Sequence, residues 1–345
     1  MKKIVSILSL VLSLCLLAGC MGTPVVYRCD CPEEGGSANQ GDVVLTEGSL
    51  KTGLAVIANA KDSTPASDHA NGEAKYDVTI AAVLVDDNGV IHACVIDSIG
   101  TSVKYNINGA ITSDLSAEIL TKNELGDSYG MKAYGGAKHE WYEQAAALAQ
   151  YAVGKTVDEL KNGAVNESGK AADVDLASTA TIYLGGYVSA IEKAVNNAKH
   201  LGAQSGDTLK LASISSISSS KDGAAQLDTD VTAITMNGDT ITSCYIDSLQ
   251  AKVTFDASGV ITSDVTAFST KNELGENYGM KAWGGAKYEW NEQAASFAAY
   301  VTGKTAAEVA GIAVTETTAP ADTDLSATVT IAIGGFQALI AKAVK

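Results

Sequence analysis

The segment Lys122 to Ala146, KNELGDSYGMKAYGGAKHEWYEQAA, recurs as Lys271 to Ala295, KNELGENYGMKAWGGAKYEWNEQAA, with 20 of 25 positions identical. The offset of 149 residues also relates Gly154-Lys155-Thr156 to Gly303-Lys304-Thr305, whereas Cys94 and Cys244 lie 150 apart, so one residue has slipped between them. A repeat of this length far exceeds a solenoid unit, and the chain is therefore a tandem pair of domain-sized copies. We place them at 45–200 and 206–345, after a leader over 1–19 and a Gly/Pro/Ser-containing tether over 20–44. With 345 residues, 46% of them hydrophobic, the chain has enough material for about two or three compact domains.

The hydrophobic period sets the expected fold of each copy. Val78 to Val85 and Val90 to Ile96 are β-branched runs around Asn88-Gly89, and Val231 to Thr235 and Thr240 to Ile246 flank Asn237-Gly238. Both read as hairpins with tight turns. Short strands are expected at Val103 to Ile107 and Ala110 to Thr112, matched by Val253 to Phe255 with Val260 and Ile261. Trp141, Ala145, Leu148 and Ala152 fall on one helical face, as do Trp290, Ala294, Phe297 and Val301, so both tryptophans read first as core anchors. Thr156-x-x-Glu159 and Thr305-x-x-Glu308 are capping boxes, and Ile182 to Ala198 and Ile331 to Val344 are helix-like. Strands followed by helices give an α+β class: two homologous domains, each an antiparallel sheet packed with helices.

The first residues read as an address. Lys2 and Lys3 precede an apolar run from Ile4 to Leu17, a secretory layout too short for a comfortable transmembrane span. Leu17-Ala18-Gly19-Cys20 resembles the bacterial lipobox, which implies lipidation of Cys20 and location on the outer face of the cytoplasmic membrane. Removing Met1 to Gly19 takes away two lysines and moves the net charge from −16 to −18. Anionic lipid would repel such a body, leaving the acyl chains to hold it. The same charge excludes duplex nucleic acid as a partner, since no basic stripe exists to neutralise phosphates. Cys29-Asp30-Cys31 lies in the tether, and two sulfurs alone do not complete a zinc site.

Several chemistries fall away on inspection. Gly154-Lys155-Thr156 lacks the first glycine of a P-loop, where Ala149 stands, and follows a helix. The histidines are scattered, and His139 becomes Tyr288 in the second copy, so no shared histidine-based catalytic or metal site is expected. Cys94 and Cys244 sit inside strand runs and read as small hydrophobes. What remains is Asp173-Val174-Asp175-Leu176-Ala177-Ser178-Thr179, which aligns without gaps on Asp322-Thr323-Asp324-Leu325-Ser326-Ala327-Thr328. Each segment is expected to end in a threonine at a helix start. The carboxylates and hydroxyls there are either helix caps or part of an anion site at the positive helix end. Gly185-Gly186 and Gly334-Gly335 would permit close approach to the first turn.

These segments resemble the acceptor motif of covalent flavinylation. In it an aspartate stands six residues before a threonine that a flavin transferase joins to FMN through a phosphoester. The resemblance makes Thr179 and Thr328 the attachment points and Asp173 and Asp322 the motif aspartates. Leu176 and Leu325, Ala177-Ser178 and Ser326-Ala327 depart from the usual small-residue pattern, and Thr181 and Thr330 are competing hydroxyls. The duplicated cassette behind a lipobox resembles the FMN-bearing lipoproteins of Gram-positive flavin-based extracellular electron transfer. That family implies two covalent FMN groups and a lipid-anchored electron carrier rather than a turnover enzyme. Its donor is a membrane NADH dehydrogenase and quinone pool, and its acceptor is external ferric iron or free flavin. An isoalloxazine needs an aromatic or apolar slot with a few polar contacts. Tyr129, Gly130, Met131 and Lys132, with Tyr278, Gly279, Met280 and Lys281, offer a ring, close backbone approach, a thioether and a cation. The same loops read equally well as ordinary packing. Non-covalent capture of a flavin or other small ligand, or a structural surface role, are the rival functions.

Overall fold

The computed structural model describes residues 48–345, so the leader and the whole tether, with Cys20, Cys29 and Cys31, lie outside the described residues. The class is α+β, with two three-stranded antiparallel sheets and helices. In the first repeat β1 (Lys51–Asn59), β2 (Gly72–Val85) and β3 (Ile91–Tyr105) pair in that order. Helices α1 (Lys122–Leu125), α2 (Met131–Gly135), α3 (Trp141–Ala152), α4 (Val157–Ala164), α5 (Val174–Thr179) and α6 (Gly185–Asn196) come after them. The second repeat has β4 (Thr208–Ser216), β5 (Ala224–Asn237) and β6 (Thr240–Thr254). Its helices are α7 (Lys271–Leu274), α8 (Trp290–Val301), α9 (Ala306–Ala310), α10 (Thr323–Ser326) and α11 (Gly334–Ala343).

Both expected hairpins form, with Gly89 and Gly238 in positive-φ turns at 80° and 58°. The short strands expected after them do not. Val103 to Tyr105 is the end of a long β3, and Ile111 makes a single bridge back to Tyr105. Asn106 causes this fold-back: its Oδ1 accepts the Asn108 and Ala110 amides at 3.0 and 3.1 Å. The third strand of each sheet is instead β1 or β4. In β1, Gly53 lets α6 lie against the strand, since a Cβ there would fall 2.1 Å from the Ala194 carbonyl oxygen.

The sheets pack face to face and share one core. Leu54, Tyr76, Val78, Ile80 and Ile99 meet Leu227, Val231, Ala233, Leu249 and Val253 there. Trp141, Leu148, Leu160, Val188 and Ile191 cover the outer face of the first sheet. Trp290, Phe297, Val309, Phe336 and Ile340 cover that of the second. The result is a helix–sheet–sheet–helix stack. Central strands covered on both faces lose the alternation of a half-exposed strand, which is why Ile80 to Val85 is apolar throughout.

The two copies grip each other reciprocally. Phe268, beyond β6, bridges Ala58 on β1, and Ile119, beyond β3, bridges Ser215 on β4. Lys193 on α6 pairs with Glu273 at 2.6 Å, and its equivalent Lys342 on α11 pairs with Glu124 at 2.6 Å. Tyr105 stacks on its own counterpart Phe255, with centroids 3.6 Å apart and planes within 5°. These contacts describe a pseudo-two-fold axis through the shared core.

Candidate functional site

Each cassette opens with a cap. Thr121 accepts the Glu124 amide while Glu124 accepts the Thr121 amide, and Thr270 and Glu273 repeat the pattern. Asn123 Nδ2 donates to the Ile96 carbonyl at 2.9 Å, fastening this short helix to β3, as Asn272 does to Ile246. Lys122 then lies with its Nζ 5.3 Å from the centroids of both Tyr129 and Trp141. Lys271 sits 5.1 Å from Tyr278 and 4.9 Å from Trp290. A cation held between two rings is a stabilising arrangement.

The Tyr-Gly-Met-Lys loop turns on a left-handed glycine, Gly130 at φ 81° and Gly279 at φ 83°. A buried carboxylate pins the next two residues. Glu140, at the start of α3, accepts the Met131 and Lys132 amides at 2.8 and 2.9 Å, and Glu289 accepts those of Met280 and Lys281 at 2.9 and 3.0 Å. Beyond each loop an aromatic side chain stands in solvent, Tyr134 at 92% and Trp283 at 81% exposure. Its ring lies over the glycine, where a Cβ would fall 2.5 Å from Tyr134 and 2.2 Å from Trp283.

One glutamine joins this loop to the threonine segment. Gln144 Oε1 accepts the Thr181 and Ile182 amides at 2.7 and 3.0 Å and the Thr181 hydroxyl at 3.2 Å. Its Nε2 donates to the His139 carbonyl at 2.9 Å and lies 3.9 Å from Met131 Sδ. Gln293 reproduces this with Thr330, Ile331, Tyr288 and Met280. Both glutamines are buried. The tertiary structure thus brings Met131 and the Thr179–Thr181 segment together, and does so twice.

Asp173 and Asp322 are helix caps. Asp173 accepts the Leu176 amide, and Asp322 accepts those of Asp324 and Leu325. The threonines are not at helix starts. Thr179 is the last residue of α5 and Thr328 comes after α10, each six residues before Gly185 or Gly334 opens the long helix. The aspartate cap makes each segment a short helical turn of its own. The chain then runs extended beneath the glutamine before α6 or α11 begins. Thr179 is half-buried and its hydroxyl has no hydrogen-bond partner among the described residues, while the Thr328 hydroxyl reaches only the Leu325 carbonyl at 3.4 Å. Thr181 and Thr330, by contrast, have theirs committed to the glutamines. At Gly186 a Cβ would meet nothing within 4 Å, whereas at Gly185 it would fall 2.8 Å from the Tyr183 hydroxyl and at Gly334 3.3 Å from Thr318, so the first turn of α6 is open on its Gly186 side alone.

Burial pushes the Cys94 and Cys244 thiols up to about 12, which keeps them neutral and unreactive at ordinary pH. Among the described residues no group of three or more His, Cys, Asp or Glu side chains is placed to hold a metal ion, and no helix is long and apolar enough to cross a membrane. Sequence reasoning passed over Lys122, Glu140 and Gln144 with their counterparts Lys271, Glu289 and Gln293. The signal was their identity in both copies, but nothing in the sequence says which loops a glutamine will bridge.

No family model and no solved structure matches the chain. Over 125 residues it is 32% identical to a chlorophenol reductase of Desulfitobacterium hafniense, covering 33% of this chain and 37% of that protein. The chain therefore spans little more than a third of the length of the curated relative it matches.

Proposed function

We propose that this protein is a redox carrier with one FMN esterified to Thr179 and a second to Thr328. One observation carries the reading. In each repeat a buried glutamine ties the Tyr-Gly-Met-Lys loop to the threonine segment and occupies the Thr181 or Thr330 hydroxyl, leaving Thr179 and Thr328 available for attachment. Partial similarity to a reductase supports redox chemistry. The residues present fit the group. Gly186 leaves room beside α6, and Tyr134 and Trp283 offer exposed ring faces. Bound FMN would supply the electron-accepting centre, and the chain's residues would fix its position.

In this reading a flavin transferase loads the chain, Cys20 anchors it at the outer face of the cytoplasmic membrane, and a membrane NADH dehydrogenase and quinone pool reduces it. Ferric iron or free flavin outside the cell takes the electrons. A covalent bond suits that setting, where a reversibly bound flavin would be lost by dilution. Intact-mass spectrometry of the chain co-produced with a flavin transferase is the test. We expect two FMN increments on the peptides holding Thr179 and Thr328, one lost in each of Thr179→Ala and Thr328→Ala. An unmodified chain, or unchanged flavin content in the double variant, would overturn the proposal and favour a non-covalent ligand-binding protein.

A further inference from the structure

The cassettes of the two repeats are nearly identical, but the segments that carry the threonines differ in what they offer a ligand. Residues 166–183 align without gaps on residues 315–332, and within them Lys170 becomes Ala319 and Tyr183 becomes Ala332. The second segment holds Glu316, Asp322 and Asp324 and no lysine or arginine. Tyr134 and Trp283 serve both copies alike, so Lys170 and Tyr183 are what sets the first apart.

Both side chains sit on the attachment segment. Lys170 Nζ donates to the Thr181 carbonyl at 2.7 Å, two residues beyond Thr179. An ammonium carries three donors, and the other two have no hydrogen-bond or ion-pair partner among the described residues. Tyr183, four residues beyond Thr179, is 60% exposed, and a Cβ at Gly169 or Gly185 would collide with its ring. The ring is therefore backed by glycine backbone at the start of α6 and otherwise open to solvent. In the second copy Thr318 replaces Gly169 at a left-handed φ of 59°, and a Cβ at Gly334 would fall 3.3 Å from the Thr318 Cβ. A threonine side chain thus stands beside Gly334 where the first copy sets a tyrosine ring beside Gly185.

We propose that the two sites are inequivalent: the first repeat holds the FMN phosphate on Lys170 and lays the flavin ring on Tyr183, binding FMN even without a covalent bond, whereas the second retains it through the bond to Thr328 alone. Ammonium–phosphate hydrogen bonds are charge-assisted and about twice as strong as neutral ones. An exposed tyrosine face gives a planar ring an offset-stacking partner. The inference rests on the flavin reading of Thr179 and deepens it.

Calorimetric titration of the full chain, produced without a flavin transferase, with FMN and with riboflavin as the phosphate-free probe tests it. We expect one FMN equivalent per chain. Lys170→Ala should weaken FMN binding at least tenfold and leave riboflavin binding unchanged, whereas Tyr183→Ala should weaken both. The two side chains are exposed, so neither change disturbs the core. Ala319→Lys with Ala332→Tyr and Thr318→Gly, which moves the first copy's residues into the second, should create a second equivalent. No FMN binding, two equal equivalents in the unaltered chain, or unchanged affinity in Lys170→Ala and Tyr183→Ala would overturn the proposal. Its failure is separable from that of attachment. FMN mass increments on Thr179 and Thr328 without titratable FMN binding would sink the inequivalence and keep the attachment, and titratable binding without increments would do the reverse.

Discussion

Asp247 is a buried carboxylate on β6, and desolvation pushes it up to about 6 despite hydrogen bonds from Thr270, Ser248 and Asn272. Its ordinary value of 3.8 is then that of the unfolded chain. Between these values the folded state binds the extra proton, so stability from this group falls as pH rises from about 4 to about 6. Asp247→Asn keeps the acceptor oxygen and removes the buried charge. We expect it to raise the denaturation free energy at pH 7 by about 2 kcal/mol, a gain that vanishes by pH 4. Urea titrations of both chains at the two pH values check this. Glu140 is a second buried carboxylate, and its two oxygens hold the Met131 and Lys132 amides. Glu140→Ala would strand the Met131 and Lys132 amides, at about 1–3 kcal/mol for each unsatisfied group. Faster hydrogen exchange at those two amides, with the sheet unchanged, is the expected signature.

At the level of elements, α3 and α8 organise the candidate site. Their first turns supply the carboxylates that pin one loop and the glutamines that hold another. Gln144→Ala should release Thr181 and Ile182, raise hydrogen exchange there, and leave the second repeat's site unaffected because Gln293 is a separate copy. If flavin attachment proceeds at Thr179, the same change should lower loading of that peptide in the mass spectrum while Thr328 stays loaded. The capping boxes of α4 and α9 belong to this scale too. Thr156→Ala removes the side-chain acceptor for the Glu159 amide and should cost about 1 kcal/mol in thermal or chemical denaturation.

Across the whole molecule, the shared core makes each repeat the partner of the other. Residues 45–200 produced alone would expose the face formed by Leu54, Tyr76, Val78, Ile80 and Ile99. They would also lose the Glu124–Lys342 and Lys193–Glu273 pairs and the Tyr105–Phe255 stack. An apolar face of that kind is not left in water. We expect the isolated repeat to form a symmetric dimer that mimics the intact chain, or else not to fold cooperatively. A well-folded monomer at micromolar concentration in analytical ultracentrifugation would contradict the shared-core architecture. Phe255→Ala, at the pseudo-axis, should cost about 3–5 kcal/mol and act on both repeats at once.

The sequence by itself determined the duplication, the hairpins, the α3 and α8 faces and the capping boxes, because each rests on local periodicity or a spacing of a few residues. β1 and β4 were missed, since Lys51 to Asn59 and Thr208 to Ser216 carry no flanking hairpin signal and are strands only through pairing with β2 and β5. The threonine segment was legible as a motif but not as geometry. A three-residue cap shapes the short turn of α5, and a contact 37 residues away holds the extended stretch between α5 and α6 in place. Only the tertiary structure could show that the copies pack sheet to sheet and that Gln144 gathers two loops. Packing between distant segments depends on which faces remain uncovered once the local elements have formed, and a hydrophobic pattern marks such a face without naming its partner.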